Sequence, residues 1–382
     1  MPKKNTRVCI KSTIKIFALC LCLLLLLTGC GGQDSEVQSS PSPTSTDKLG
    51  GTGAPLSGGT MKIVMTANPQ TLNPLLAKSR EMIDLFDLIY DPLIRYDDTL
   101  SPLPGLAERW ELGEDGKTWT LYLRKDAKFH NGQAFTAADV VYTLDQLKAI
   151  YDDSTQTSTY SGAMRLIASY AAVDDYTLTI TCRQKPGHLL SVLTFPIVQN
   201  GTISDTALAG GTGAYVPSDY DAAKGMTLTA NSAWWRRTPY ISRIEVKAMP
   251  DPTTALTSMN VKLVDIVHTD SLNANTYKQP DSVDVHELMT QEYECIIPNF
   301  KRAPMDDGRM RQAILAALDR KTIITEAYLT HAISVDVPIP PDAYYYDQTH
   351  IQHEYNPGTA QSLLTEMGYA DADGDGYVEK DA

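Results

Sequence analysis

The residues best spaced for chemistry lie near the end of the chain. Asp371-Ala-Asp373-Gly-Asp375-Gly376 sets three carboxylates at alternate positions among glycines, as a calcium loop does when it gathers oxygen ligands. The twelfth position of such a loop should be a bidentate Glu, and here it is Ala382. The segment therefore reads as a plain turn, with a secreted calcium-dependent adhesion or enzyme lipoprotein as the rival reading. His350 and His353, next to Glu354, have a spacing that could share a metal on one helix face. They precede the helix start at Asn356-Pro357 and read instead as surface polar residues. There is no Gly-x-Ser-x-Gly turn, no His-Glu-x-x-His pair and no phosphate loop, and the Gly210-Gly211-Thr212-Gly213 stretch lacks the lysine such a loop needs. No catalytic residue, metal or cofactor is assigned.

The elements that must carry any function belong to a globular chain. Of 382 residues, 43% are apolar and 21% charged, which excludes disorder and coiled coil. Five of the 33 bases and none of the 46 acids fall within residues 1–29, so the remainder carries 28 bases against 46 acids. That balance disfavours nucleic-acid binding. Only the extreme N-terminus is apolar enough to approach a bilayer, which excludes a polytopic transporter.

Residues 1–15 are basic, and Ile16 to Leu27 form an apolar core of about 12 residues, short for a span and right for a signal peptide. Leu27-Thr28-Gly29-Cys30 then resembles the lipobox of bacterial lipoproteins. That resemblance implies cleavage before Cys30 and a diacylglycerol on its thiol, each buried methylene contributing about 0.8 kcal/mol to anchoring. Residues 1–29 are the expected leader, and 30–58, rich in Gly, Ser, Thr and Pro, the lipidated cysteine and its solvated tether. Beyond them only Cys182 and Cys295 remain, too few for a disulfide framework. They read as two separate, semi-buried thiols, with pairing left open.

From Gly59 the pattern is mixed. Met61 to Met65 reads as a buried strand, Met82, Phe86 and Ile89 as a helix face, and Trp110 to Leu123 as a hairpin turning at Asp115-Gly116. Thr136-Ala-Ala-Asp139 opens a helix that buries Val140, Leu144 and Leu147. Strands are expected at Tyr176 to Thr181, Met226 to Ala230 and Ile241 to Ala248. Helices are expected at Arg309 to Leu318, at Asp319 to Tyr328, and from Asn356 to Gly368. This is an α/β body, and its length suggests two domains.

Several segments carry a family likeness in order: Ala67-Asn-Pro-Gln-Thr-Leu-Asn-Pro74, Ile89-Tyr-Asp-Pro-Leu93, Leu106-Ala-Glu-Arg-Trp110 and Leu123 to Gly132. Phe135 to Tyr142, Gly211-Thr-Gly-Ala-Tyr215, Trp234-Trp235, Val264-Asp-Ile-Val267, Arg309 to Ile314 and Tyr355-Asn-Pro357 continue it. Together they resemble the family 5 extracellular solute-binding proteins, the oligopeptide, dipeptide and nickel receptors of ABC importers. The resemblance implies a two-lobed periplasmic-binding-protein-like (type II) clamp, with 59–255 as lobe one and 256–382 as a partial lobe two. It implies a peptide as solute, with nickel chelates or oligosaccharides as alternatives, a membrane permease and separate ATPase subunits as partners, and no enzyme activity.

It also implies ligand contacts. The loop after the first strand maps to Asn68, Pro69 and Gln70. Tyr293 to Phe300 matches a strand lining the opposite wall, giving Tyr293 and Asn299, although Asn299-Phe300-Lys301 departs from the Asn-Thr of many relatives. Trp234 and Trp235 read as packing, and His130 as structural. Relatives continue well past the matched helix and turn, so the second lobe is expected to be incomplete, with strand edges left unpaired.

Overall fold

The computed structural model describes residues 55–380, apart from 67, 68, 70, 186, 280, 281, 291, 348 and 350–352. The leader, Cys30, the tether up to residue 54, Asn68, Gln70, His350 and Ala382 lie outside the described residues.

The chain opens with β1 (Thr60–Met65). α1 (Arg80–Phe86) follows, capped by Ser79, whose hydroxyl accepts from Met82 N at 3.3 Å. β2 (Ile94–Tyr96) and β3 (Pro102–Pro104) form a small ribbon. β4 (Ala107–Leu112) and β5 (Thr118–Leu123) make the expected hairpin. Its turn forms because Gly116 takes φ +64° and Asp115 accepts from Lys117 N, Thr118 N and Thr118 Oγ1 at 2.8, 2.9 and 2.7 Å. Those three donors hold the Asp115 carboxyl down at about 2.

α2 (Ala137–Asp152) starts where Asp139 reaches back to accept Thr136 N at 2.9 Å, the expected capping box. After α3 (Ala163–Leu166), β6 (Ile167–Asp174) and β7 (Thr177–Cys182) complete an antiparallel sheet in the order β4-β5-β7-β6. β8 (Tyr215–Pro217), β9 (Met226–Ala230) and β10 (Arg243–Ala248) join β1 in a second sheet, ordered β1-β10-β9-β8. α4 (Pro252–Asn260), α5 (Gly308–Ala317), α6 (Arg320–Ala327) and α7 (Pro357–Glu366) begin at Asp251, Asp307, Asp319 and Asn356, each accepting from a first-turn amide. The chain turns at Gly368, φ +85°, into the ribbon of β11 (Tyr369–Ala370) and β12 (Glu379–Lys380). The α/β class expected from the pattern is the one observed.

Two hydrophobic cores result. α2 lays Val140, Leu144 and Leu147 on Leu121, Leu178 and Ile180 of the first sheet, all fully buried. Met82, Leu85 and Phe86 of α1 join Leu228, Ile244 and Val246 of the second sheet. Each such side chain contributes about 1.5–3 kcal/mol by leaving water.

Two expectations fail. Tyr293 to Phe300 is not a strand: it runs without a ladder partner among the described residues, and Ile296 and Ile297 stay 74% and 81% exposed. Local β-propensity is present, but a strand needs a neighbour to take its backbone groups. Nor are the two cysteines alike, for Cys182 is buried, Cys295 is exposed, and both are free thiols.

Candidate ligand-binding site

β1 is parallel to β10, with Met65 beside Ala248, and a parallel bridge joins Ile63 to Ile266 on its other side. Parallel strands deliver their following loops to the same end, and open α/β sheets bind ligands outside the carboxyl ends of such strands. That end carries the loop 66–74 and the turn from Met249 into α4, joined where Met249 N donates to Met65 O at 3.0 Å.

The loop is tied at both ends. Thr66 donates to Glu81 twice, from its amide at 2.9 Å and its hydroxyl at 2.7 Å. Thr71 Oγ1 donates to Asp205 Oδ1 at 2.6 Å, and Leu72 N to Asp205 O at 2.9 Å. Asn73 is buried and accepts from Leu75 N at 3.0 Å. Pro69, half-buried, sits between these anchors.

The second-lobe candidates stand apart from it. Tyr293 is 41% exposed and Asn299 is exposed, its Oδ1 accepting from Lys301 N at 3.1 Å. No hydrogen bond among the described residues links either to the β1 loop. Glu287, in the same extended segment, pairs with His331 Nδ1 at 3.1 Å and accepts from Asn275 at 3.2 Å. The His331 and Asn275 hydrogen bonds lower its carboxyl pKa.

A buried polar cluster escaped the sequence reading. Asp91, 4% exposed, accepts from Trp234 Nε1 at 3.1 Å, Trp235 Nε1 at 2.9 Å and Thr212 Oγ1 at 2.9 Å, all at Oδ2. Beside it, Gly213 O lies 3.2 Å from His130 Nε2 and accepts from Asn231 Nδ2 at 3.0 Å. Gly211 and Gly213 approach Ile89 so closely that a Cβ on either would lie 2.2 and 2.6 Å from Ile89 O. The glycines are there for close approach, not for phosphate. Two adjacent tryptophans were the available signal, since a buried indole N–H needs an acceptor. Trp234 and Trp235 pack as expected, and His130 takes the structural place expected of it, its ring against Gly213 O.

The acidic turn is exposed, with ligand-capable oxygens of Asp371, Asp373 and Asp375 within 4.8 Å of one another. Backbone amides already occupy much of it: Asp371 accepts from Gly374 N at 2.7 Å and Gly376 N at 3.1 Å, and Asp375 from Tyr377 N at 2.8 Å. His353 Nδ1 lies 3.7 Å from Asp336, which Arg320 holds at 2.8 Å. It borders a hollow of about 440 Å³ between α5 and α7.

The family model for bacterial extracellular solute-binding proteins, family 5 Middle, matches residues 101–381. Heme-binding protein A of Haemophilus influenzae is 29% identical over 310 residues, 74% of this chain and 56% of that protein. The dipeptide-binding protein of Escherichia coli is 26% identical over 330 residues, 79% and 62% of the two chains. The nickel-binding periplasmic protein of Escherichia coli is 25% identical over 317 residues, 79% and 60%. In fold, the structure of HbpA2 from Haemophilus parasuis matches with a TM-score of 0.67 at 24% identity, over 81% of this chain and 67% of that one. The chain thus spans roughly three-fifths of the length of the curated relatives it matches.

Proposed function

This chain belongs to the bacterial extracellular solute-binding proteins of family 5, and from that premise we propose that it is the peptide receptor of an ABC importer. It binds a short peptide and delivers it to a membrane permease, whose ATPase is a separate subunit. Its work is affinity and closure of the two-lobed clamp, lobe one over 59–255 and lobe two from 256 onward, and not catalysis. Asn68, Pro69 and Gln70 form one wall, and Tyr293 and Asn299 reach the solute from the other. Cys30, acylated after removal of residues 1–29, anchors the body to the outer face of the cell membrane, facing the periplasm or the medium. Among the described residues no helix is long and apolar enough to cross a membrane.

The observation that carries this reading is the ordered family match over residues 101–381. A second reading, a receptor for a nickel chelate, has the nickel-binding relative at nearly the same identity behind it. Oligosaccharide is the third solute class. Thermal-shift and tryptophan-fluorescence titrations decide among them, using peptides of two to eight residues, nickel-histidine and a short oligosaccharide in parallel. A rise in melting temperature with peptides alone supports the receptor as proposed. A response to nickel-histidine alone replaces it with the second reading, and silence toward all peptides removes the peptide assignment.

A further inference from the structure

Beside the tryptophan pair, two exposed arginines stack on aromatic rings and make no ion pair among the described residues. Arg236 lies over Trp234 and Trp235, with its guanidinium carbon 5.2 and 5.9 Å from the ring centroids. Arg237 lies 4.9 Å over Tyr240, which is 39% exposed. Arg124 stacks at 3.9 Å over Trp235 and pairs with Asp126 at 3.4 Å and Glu108 at 3.6 Å. The cluster is crowded enough that partial burial, Arg95, Arg237 and Arg124 together pull the Arg236 pKa below its ordinary value, against Asp91, which raises it.

We propose that Arg236 and Arg237, stacked on Trp234, Trp235 and Tyr240, form a docking surface for a carboxylate-rich loop of a protein partner. Charge complementarity selects an acidic partner, because both guanidinium groups lack an ion-pair partner among the described residues and an added anion relieves their mutual repulsion. Stacking holds each fork in place before contact, so less side-chain entropy is lost when a bidentate carboxylate arrives. Arg, Trp and Tyr are also the residues that dominate protein–protein hot spots. An anionic bilayer is the poorer occupant. The whole acidic body would approach it against repulsion, whereas a loop meets only charges within about 8 Å at physiological salt. On the importer reading that partner is the permease, and the inference rests on that reading for this name alone.

The test uses the full chain, with polyacrylate, a polycarboxylate without a peptide backbone, as probe and tryptophan fluorescence as readout, since two of its four tryptophans lie in the patch. Arg236→Ser/Arg237→Ser should weaken polyacrylate binding at least about tenfold, the equivalent of 1.4 kcal/mol. Lys321→Ser, an exposed base on α6, should change it less than about twofold. Arg236→Lys/Arg237→Lys, which keeps charge but not the fork, should fall between the two. Melting curves of each variant confirm folding. Equal polyacrylate affinity in wild type and both double variants overturns the proposal. A loss on phosphatidylglycerol vesicles as large as that on polyacrylate overturns the protein partner in favour of a headgroup. The probe is not a peptide of the kind the cleft is proposed to take, so failure of the cleft titrations leaves this readout standing, and the reverse.

Discussion

Trp234 and Trp235, neighbours in sequence, direct their indole N–H groups to one oxygen, Asp91 Oδ2, at 3.1 and 2.9 Å, yet pack against different hydrophobic cores. Trp235 rests on the core beneath α2 and Trp234 on the core around α1. A single buried carboxylate therefore fastens the two sheets together. Asp91→Ala leaves three donors without an acceptor and should cost at least about 3 kcal/mol, while Asp91→Asn, which retains an acceptor oxygen, should cost about half of that. Urea unfolding gives both values. Equal losses would mean that the carboxylate's charge, and not its hydrogen bonding, fastens the cores.

The glycine loop beside this carboxylate is a second point of failure. Gly213→Ala puts a Cβ 2.5 Å from Ile89 C and 2.8 Å from Leu88 O, backbone atoms that cannot swing aside. A loss of about 2–3 kcal/mol is expected, as for an overpacked core. Gly187→Ala meets nothing within 4 Å and should stay within about 0.5 kcal/mol of wild type. Melting temperatures of the two variants make the comparison, and parity between them would remove the close-approach argument.

Legibility in the sequence followed the range of the interaction. The boxed start of α2 at Thr136–Asp139 and the caps Asp319 and Asn356 were readable because the donor and acceptor lie within a few residues. The loop after β1 owes its assignment to its place in a family pattern. Asp91 was quoted within that pattern, but its role was invisible, since its donors lie more than 100 residues away. Tyr293 to Phe300 was misread for the same reason. Its residues suit a strand, and only a non-local neighbour could make it one.

His130 gives the molecule a pH dependence of known sign. Burial holds its imidazole below the ordinary value, outweighing the Gly213 carbonyl and Asp91, which favour the charged form. The unfolded chain then binds the proton first, at a pKa of about 6.5, so stability is complete above that pH and is lost as pH falls below it. His130→Gln should remove this part of the slope between about pH 7 and pH 5. Chemical unfolding at several pH values measures it, and an unchanged slope in the variant would assign the effect elsewhere.

Calcium should leave the protein unmoved. Asp371 and Asp375 already hold the turn through the amides of Gly374, Gly376 and Tyr377. An ion would have to share those oxygens. Isothermal titration should show no affinity tighter than about 1 mM, the weak end of the range for calcium modules. Binding in the micromolar range would revive the adhesion reading.

Tyr293 and Asn299 separate ligand binding from stability. Tyr293 makes no hydrogen bond among the described residues and is 41% exposed, so Tyr293→Ala should alter stability by less than about 0.5 kcal/mol. If its ring covers the bound solute, the same change should weaken peptide binding about tenfold, the upper end of what one aromatic contact contributes. Asn299→Ala differs because its Oδ1 accepts from Lys301 N at 3.1 Å, so stability should fall by about 1 kcal/mol along with affinity. Titration calorimetry with the best peptide, beside urea unfolding, separates the two quantities. Wild-type affinity in Tyr293→Ala would take this residue out of the site.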